Sequence, residues 1–169
     1  AAKAWGPITR VGSVALTAAD KMPVSLVRAA TTVGRAVLGA DTVVIIGDDI
    51  LGKPDDRASA ESMLRRLAGK RHTVMTALCL IDRSGERDAV DTTEVQFRSL
   101  ADAHIAWYLD RGEWQGRAGA YAIQGSGASL VVSVNGDAST VIGLSLGRLV
   151  GLLEVAGLTP WARPPPQPH

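Results

Sequence analysis

Cysteine and aromatic residues are both scarce in this chain of 169 residues. Cys79 is the single cysteine of the sequence, so the chain cannot form an internal disulfide or build a zinc site from cysteines. Aromatic residues make up 4% of the sequence, which predicts an aliphatic core. A lone cysteine is typical of a reducing compartment, and we therefore expect a cytoplasmic location.

An excess of charge of either sign is missing as well. The sequence has 18 basic and 17 acidic residues, for a formal net charge of +1. This balance offers no electrostatic surface for duplex DNA or RNA, or for an anionic membrane. The longest uncharged stretch, residues 118–136, is rich in Gly and Ser and contains Gln and Asn, so it is not a membrane span. We expect no duplex nucleic acid and no membrane among the partners.

The rest of the composition is that of one globular domain. Hydrophobic residues make up 46% and charged residues 21%, and a chain of this length can bury a core of its own. Five of the eight prolines lie at or after Pro160. We therefore expect a single domain over residues 1–158 and a disordered, Pro-rich tail over residues 159–169.

Helical and strand patterns alternate along the chain. Helical spacing covers residues 21–37 and residues 145–156. Two more helices are predicted between them, one capped by Asp55 or Asp56 and one opened by a capping box of Ser99 and Asp102. Strand patterns cover residues 42–46, 72–81, 87–97 and 129–134, with a hairpin turn at 82–85. The alternation has no strict βαβ rhythm, which predicts an α/β fold with a mixed β-sheet and flanking helices.

Three polar clusters stand out, and the first two lie beside predicted strands. In residues 39–42 (GADT), Asp41 could hold a metal ion or activate water, although a solvated turn aspartate is the simpler interpretation. In residues 52–55 (GKPD), Lys53 could reach a phosphate as a compact cation. The spacing is not that of a Walker loop, and a surface lysine in a strand-to-helix loop is the alternative.

The third cluster, residues 118–125 (AGAYAIQG), contains Gln124. Its amide is both a donor and an acceptor, which suits the edge of a nucleobase, while a tight core turn is the alternative. His72, His104 and His169 lack the paired spacing of metal ligands. Cys79 alternates with apolar residues and is expected to be a small buried hydrophobe.

Taken in order, these clusters resemble the Maf family of nucleoside triphosphate pyrophosphatases. The resemblance covers about residues 38–155. The matching segments are residues 39–44 (GADTVV), 51–54 (LGKP), 63–69 (MLRRLAG), 72–74 (HTV), 93–100 (TEVQFRSL), 118–125 (AGAYAIQG) and 141–144 (VIGL), with Tyr108, Gly112 and Glu113 among them.

The resemblance implies an α/β fold with a cleft, of the Maf and ITPase type. It also implies hydrolysis of nucleoside triphosphates to the monophosphate and pyrophosphate with a divalent metal, Mg²⁺ or Mn²⁺. The sequence Ile-Gln-Gly at 123–125 resembles the branch that acts on dTTP and UTP, with modified pyrimidine nucleotides as further candidates. By resemblance, Asp41 is the proton acceptor and a metal ligand, Thr42 and Gln124 set specificity, and Lys53 holds phosphate oxygens. A homodimer is a further family expectation.

The N-terminal part departs from the family pattern. The family opens with a Ser-x-Ser-Pro-Arg-Arg loop that grips the triphosphate, and residues 1–38 contain no such segment. Lys21 stands where an acidic residue is expected, and the first residue is Ala rather than Met. Three explanations stay open: a fragment or misread start of an active enzyme, a diverged paralogue, or an enzyme whose N-terminal pieces do not align.

Two functions follow from the sequence. The first is a metal-dependent pyrophosphatase that hydrolyses dTTP and UTP. The alternative is a catalytically impaired Maf paralogue that acts as a nucleotide-binding or cell-division regulatory protein. An α/β domain of unrelated function is a third interpretation.

Overall fold

The computed structural model describes Thr32, residues 34–158 and Trp161. Most of the helix predicted over residues 21–37 lies outside these residues, and Val37 itself begins a strand. The tail predicted over residues 159–169 also lies outside them, apart from Trp161.

One antiparallel sheet forms the centre of the described part of the chain. Its strands follow the spatial order β2-β1-β3-β4-β5, and each of the four neighbouring pairs is antiparallel. Four helices of the described residues flank it, which confirms the predicted α/β class, although the described strands form an antiparallel sheet and not the mixed sheet expected from the sequence. The strands are β1 Val37–Ile46, β2 Asp49–Leu51, β3 Arg71–Asp82, β4 Gly85–Phe97 and β5 Val131–Asn135; the helices are α1 Arg57–Leu67, α2 Asp102–Asp110, α3 Ala138–Ile142 and α4 Leu146–Val155. None of the described helices combines the length and the apolar character needed to cross a lipid bilayer.

Strand β1 is longer than its β-branched run indicates. It begins at Val37, so the GADT segment lies inside the strand, with Asp41 opposite Ala77 and Thr42 opposite Thr76 of β3. The interpretation of Asp41 as a turn residue is therefore wrong. Pairing along β3 overrides the low strand propensity of glycine and aspartate.

Apolar side chains from the sheet and the helices pack into the main core. Leu64 and Leu67 of α1 are fully buried, and each contributes about 1.5–3 kcal/mol to stability by leaving water. The expectation of an aliphatic core fails at its centre, where Phe97, Tyr108 and Tyr121 are buried. Phe97 and both tyrosines thus lie in the interior, whereas Trp107 and Trp161 are exposed.

The helix ends follow local hydrogen bonds. Asp56 caps α1, since its Oδ1 accepts from the Ser59 N–H at 2.7 Å and its own N–H donates to Ser59 Oγ at 3.1 Å. The capping box predicted for Ser99 and Asp102 is wrong. Helix α2 begins after Ala101, whose N–H donates to Nδ1 of His104 at 3.2 Å. Asp102 lies within the helix and pairs with Arg65 at 2.5 Å.

Helix α3 escapes the sequence patterns because five residues are too few to show helical periodicity. Asp137 caps it, accepting from the Ser139 N–H at 2.8 Å, and Gly143 ends it with φ +116°. This short helix carries residues 140–143 against β1 and β3, where the candidate site forms.

Candidate active site

A cavity of about 200 Å³ borders the middle of β1. Among the described strands, β2 pairs only with residues 44–46 of β1, so the preceding part of β1 is covered by β3 on one side. Four segments meet around this edge: β1, the loop after β2, residues 116–124, and the end of α3. The lining residues are Ala40, Asp41, Thr42, Val44, Lys53, Val74, Gly116, Arg117, Ala118, Tyr121, Ala122, Ile123, Gln124, Val141, Ile142 and Gly143.

Asp41, Thr42, Lys53 and Gln124 all border this cavity, although up to 83 positions separate them in the sequence (124 − 41 = 83). The fold therefore brings the three polar clusters of the sequence to one place. Asp41 and Thr42 are half-buried, whereas Lys53 and Gln124 are exposed. Because Gln124 is exposed, the alternative of a closed core turn does not hold for it.

Asp41 and Thr42 leave β1 on opposite faces, because successive strand residues alternate. Thr42 shares its face with Val44, which is part of the main core. Asp41 shares its face with Val43, which packs against Met75 on the other side of the sheet. A ligand that reaches both side chains must pass around the edge of β1.

The Lys53 loop is tied to the glycine-rich segment. The Gly119 N–H donates to the Gly52 carbonyl at 3.0 Å. Gly119 has φ +67°, and a Cβ at this position would lie 2.8 Å from Cγ2 of Val44. Only glycine allows this approach, because both the backbone conformation and the available space exclude a side chain. The close packing holds Lys53 beside residues 117–120.

Arg117 is a cavity residue that the sequence motifs did not single out. Among the described residues that line the cavity, Lys53 and Arg117 supply two cations against one carboxylate, Asp41. A net positive cavity favours a polyanionic ligand such as a phosphate chain. The available signal was the position of Arg117, immediately before the AGAYAIQG segment.

Glu113 supports the loop that carries Gln124. Its carboxylate accepts from the N–H of Ser126 at 2.9 Å and from the N–H of Gly127 at 3.3 Å. The hydrogen bonds from Ser126 lower the pKa of Glu113. Gly125 has φ +63°, and a Cβ there would lie 3.0 Å from both carboxylate oxygens. The glycine after Gln124 is therefore required by the carboxylate of Glu113, whose role the sequence left open.

Three rings form the rigid wall behind the cavity. Nε2 of His72 lies 2.8 Å from the hydroxyl of Tyr121, and both rings pack edge-on against Phe97. Burial lowers the pKa of His72 to about 4, so the imidazole is neutral at physiological pH. Burial also raises the pKa of Tyr121, so this cavity-lining phenol stays neutral.

A hydroxyl network joins the cavity to β4. Thr42 Oγ1 lies 2.7 Å from Thr76 Oγ1, and Thr76 donates to the carbonyl of Thr140 at 2.7 Å. The hydroxyls of Thr140 and Ser145 both donate to Asp91, at 2.8 and 2.9 Å. Burial alone would raise the pKa of Asp91, but these two hydrogen bonds, the charge of Arg148 and the backbone of Thr92 together outweigh it, and the pKa lies below its usual value.

The cavity residues fit a hard divalent cation. Mg²⁺ and Mn²⁺ prefer oxygen ligands, and Mg²⁺ usually binds through one or two carboxylates with substrate phosphates and water. Asp41 is the carboxylate among the described lining residues. A second grouping, Cys79 with Glu86 and Asp88, has the spacing of metal ligands. Burial raises the pKa of the Cys79 thiol, and this thiol donates to Glu86 at 3.5 Å, so it is protonated in the metal-free protein.

Known proteins resemble this chain over most of its length. A protein from Anaeromyxobacter dehalogenans strain 2CP-1, named dTTP/UTP pyrophosphatase, is 49% identical over 136 residues, covering 78% of this chain and 70% of the relative. Relatives with the same name from Myxococcus xanthus and Pyrococcus furiosus are 49% and 41% identical, covering 76% and 70% of this chain. The matched segment spans 65% and 63% of those two proteins, so this chain corresponds to about two thirds of its curated relatives.

The profile of the Maf-like protein family matches residues 9–156. This match includes the described fold from β1 to α4 and the cavity with its four segments. It also includes part of the N-terminal stretch in which the Ser-Pro-Arg-Arg motif is missing. With the relatives above, the profile match establishes that the chain belongs to the Maf family.

Proposed function

We propose that this protein is a nucleoside triphosphate pyrophosphatase that hydrolyses dTTP and UTP to the monophosphate and pyrophosphate. One observation carries the proposal: a single cavity joins Asp41, two cations and a polar pair, Thr42 and Gln124. The names of the relatives, dTTP/UTP pyrophosphatase, support the substrate class.

The residues that line the cavity divide between the base and the phosphates of the proposed substrate. Thr42 and Gln124 recognise the base, while Lys53 and Arg117 bind phosphate oxygens through their positive charge. A volume of about 200 Å³ is below the roughly 300–1,000 Å³ of pockets that enclose a whole ligand. The cavity therefore holds part of the nucleotide, and the triphosphate extends around the edge of β1 to Asp41.

Asp41 acts as the general base in this proposal. It takes a proton from a water molecule whose oxygen attacks the α-phosphorus. The bond from the α-phosphorus to the oxygen that bridges to the β-phosphate breaks, and pyrophosphate leaves with the electron pair. Lys53 and Arg117 stabilise the negative charge that develops on the phosphate oxygens. A divalent cation, Mg²⁺ or Mn²⁺ held by Asp41, would neutralise phosphate charge and orient the leaving group.

The remaining family expectations belong to the same proposal. We propose a cytoplasmic enzyme that forms a homodimer and folds as one domain over residues 1–158. Exposed Trp107, covered on one side by the guanidinium of Arg111 at 4.5 Å, is available for packing. Trp114 is less available, since its Nε1 donates to the Leu109 carbonyl at 3.0 Å and its ring packs on the main core.

Pyrophosphate release from dTTP and UTP, with Mg²⁺ or Mn²⁺, tests the proposal. The substitution Asp41→Asn keeps the shape of the side chain but removes the general base, so we expect kcat to fall about 10²–10⁴-fold. Asp55→Asn is the matched control, because Asp55 is exposed and is not among the residues lining the cavity. It should retain wild-type activity.

Two results would count against the proposal. If the kcat of Asp41→Asn stays within about tenfold of wild type, Asp41 is not the general base. A folded wild-type protein that binds nucleotide in calorimetry but releases no pyrophosphate would favour the impaired paralogue.

A further inference from the structure

We infer that Thr76, a buried residue behind the cavity, fixes the hydrogen-bond polarity of Thr42 and thereby selects pyrimidines that carry an N3–H group. The inference rests on the proposed function, since it gives a physical cause for base selection by Thr42. Uracil and thymine present an N–H at ring position 3. Cytosine presents an unprotonated nitrogen there, so a polarity-sensitive partner distinguishes these bases.

The donor and acceptor of each contact follow from the number of hydrogens that each hydroxyl group carries. A threonine hydroxyl carries one hydrogen and two lone pairs. Thr76 Oγ1 lies 2.7 Å from the Thr140 carbonyl oxygen, which can only accept, so the hydrogen of Thr76 points there. Thr42 Oγ1 lies 2.7 Å from Thr76 Oγ1, and the hydrogen between these oxygens must come from Thr42. Thr42 can therefore offer a ligand only its lone pairs.

The hydrogen bonds from Thr42 to Thr76 and from Thr76 to the Thr140 carbonyl form a relay. The Thr140 end of this relay is held in place. Thr76 and Thr140 are both fully buried, so bulk water does not compete for their hydrogen bonds. The Thr140 hydroxyl donates to Asp91, which also accepts from Ser145 and thereby ties both ends of the α3–α4 connection to β4. A Cβ on Gly143 would lie 3.5 Å from Thr42 Oγ1, so the end of α3 also lies beside the Thr42 hydroxyl.

Because the Thr42 hydroxyl can only accept a hydrogen bond from a ligand, it restricts which ligand atoms can lie beside it. It repels phosphate oxygens and the N3 lone pair of cytosine, and it attracts an N–H group. Gln124 does not impose the same restriction, because its amide can donate or accept. The relay therefore places the base beside Thr42 and Gly143. Thr42 discriminates between uracil and cytosine, and Thr76 is the positioning residue.

Binding of UMP and CMP, measured by calorimetry, tests the relay without requiring turnover. Wild type should prefer UMP by about tenfold, as expected for one hydrogen bond gained in place of one repulsive contact. Thr76→Val removes the acceptor and frees the Thr42 hydrogen to donate to cytosine, so the preference should fall about 3–10-fold. Thr76→Ser keeps the hydroxyl and should restore the preference.

Thr93→Val is the matched control. Thr93 is as buried as Thr76, and its hydroxyl donates at 2.9 Å to the carbonyl of Asp137, the cap of the same helix α3. It makes no contact with Thr42 that would set polarity. We expect Thr76→Val and Thr93→Val to lower the melting temperature similarly, whereas only Thr76→Val should change the UMP preference.

Three results would overturn the inference. They are an unchanged preference in Thr76→Val, an equal change in Thr93→Val, and a wild type that binds neither nucleotide. Should Thr76→Val not fold, Thr42→Val tests the same relay, and retention of the UMP preference by this variant also refutes it. UMP preference in a wild type that releases no pyrophosphate contradicts the proposed reaction alone and leaves the relay supported.

Discussion

Acidification from pH 7 to pH 5 should remove about 2 kcal/mol from the free energy of unfolding through His72. This imidazole is 3% exposed, and burial lowers its pKa from 6.5 to about 4. The unfolded chain therefore binds a proton near pH 6.5, whereas the folded chain binds it near pH 4. Since the unfolded state holds more protons between these values, stability falls as the pH decreases through this window.

The magnitude follows from the two pKa values. At pH 5 the unfolded histidine is almost fully protonated and the folded one almost fully neutral, which gives about 2 kcal/mol. The full effect, about 3 kcal/mol, is reached only near pH 4. Carboxyl groups with lowered pKa, such as Asp56, Asp91 and Glu113, lose their contribution below their ordinary values of 3.8 and 4.5, so they add little above pH 5.

Urea unfolding at pH 7, 6 and 5 measures this loss. His72→Gln removes the titrating group and should flatten the dependence, although it lowers the stability at every pH. His104→Gln is the control, because His104 is exposed on α2 and its replacement leaves the buried imidazole intact. Equal pH dependence in wild type and His72→Gln would refute the reasoning. So would protonation of His72 above pH 6 in a proton NMR titration of the folded protein.

Two further substitutions test the loop that carries Gln124. Gly127→Ala places a Cβ 1.9 Å from the Ala122 carbonyl oxygen and should lower the free energy of unfolding by about 3 kcal/mol, measured with urea. Gly147→Ala on α4 is the control, because its Cβ meets the nearest atom at 3.9 Å and should leave stability unchanged or raise it. Equal stability of the two variants would contradict the packing around Gly127. Glu113→Gln weakens the acceptor for the N–H groups of Ser126 and Gly127 and should raise KM for dTTP about 3–10-fold with a smaller change in kcat, measured by pyrophosphate release. An unchanged KM would show that Glu113 does not position Gln124.

Local features of the fold could be read from the sequence because their causes lie within a few residues. Asp56 caps α1 by binding Ser59, three positions later. The hairpin between β3 and β4 turns at residues 82–85, as its polar and glycine residues predict. Asp102 does not form the predicted capping box with Ser99, because α2 begins after Ala101 and Asp102 pairs with Arg65 of another helix.

The sequence by itself determined the order of the longer strands and helices, the family, and the motifs that contain Asp41, Lys53 and Gln124, whereas it missed β2 and α3. The tertiary structure decided the rest, because the remaining contacts join distant positions. Pairing with β3 extended β1 through Asp41, and the loop contact between Gly52 and Gly119 set Lys53 beside Arg117. The polarity of Thr42 depends on hydroxyl contacts that span 34 and 64 positions, and a threonine inside an ordinary strand pattern carries no local sign of such a role.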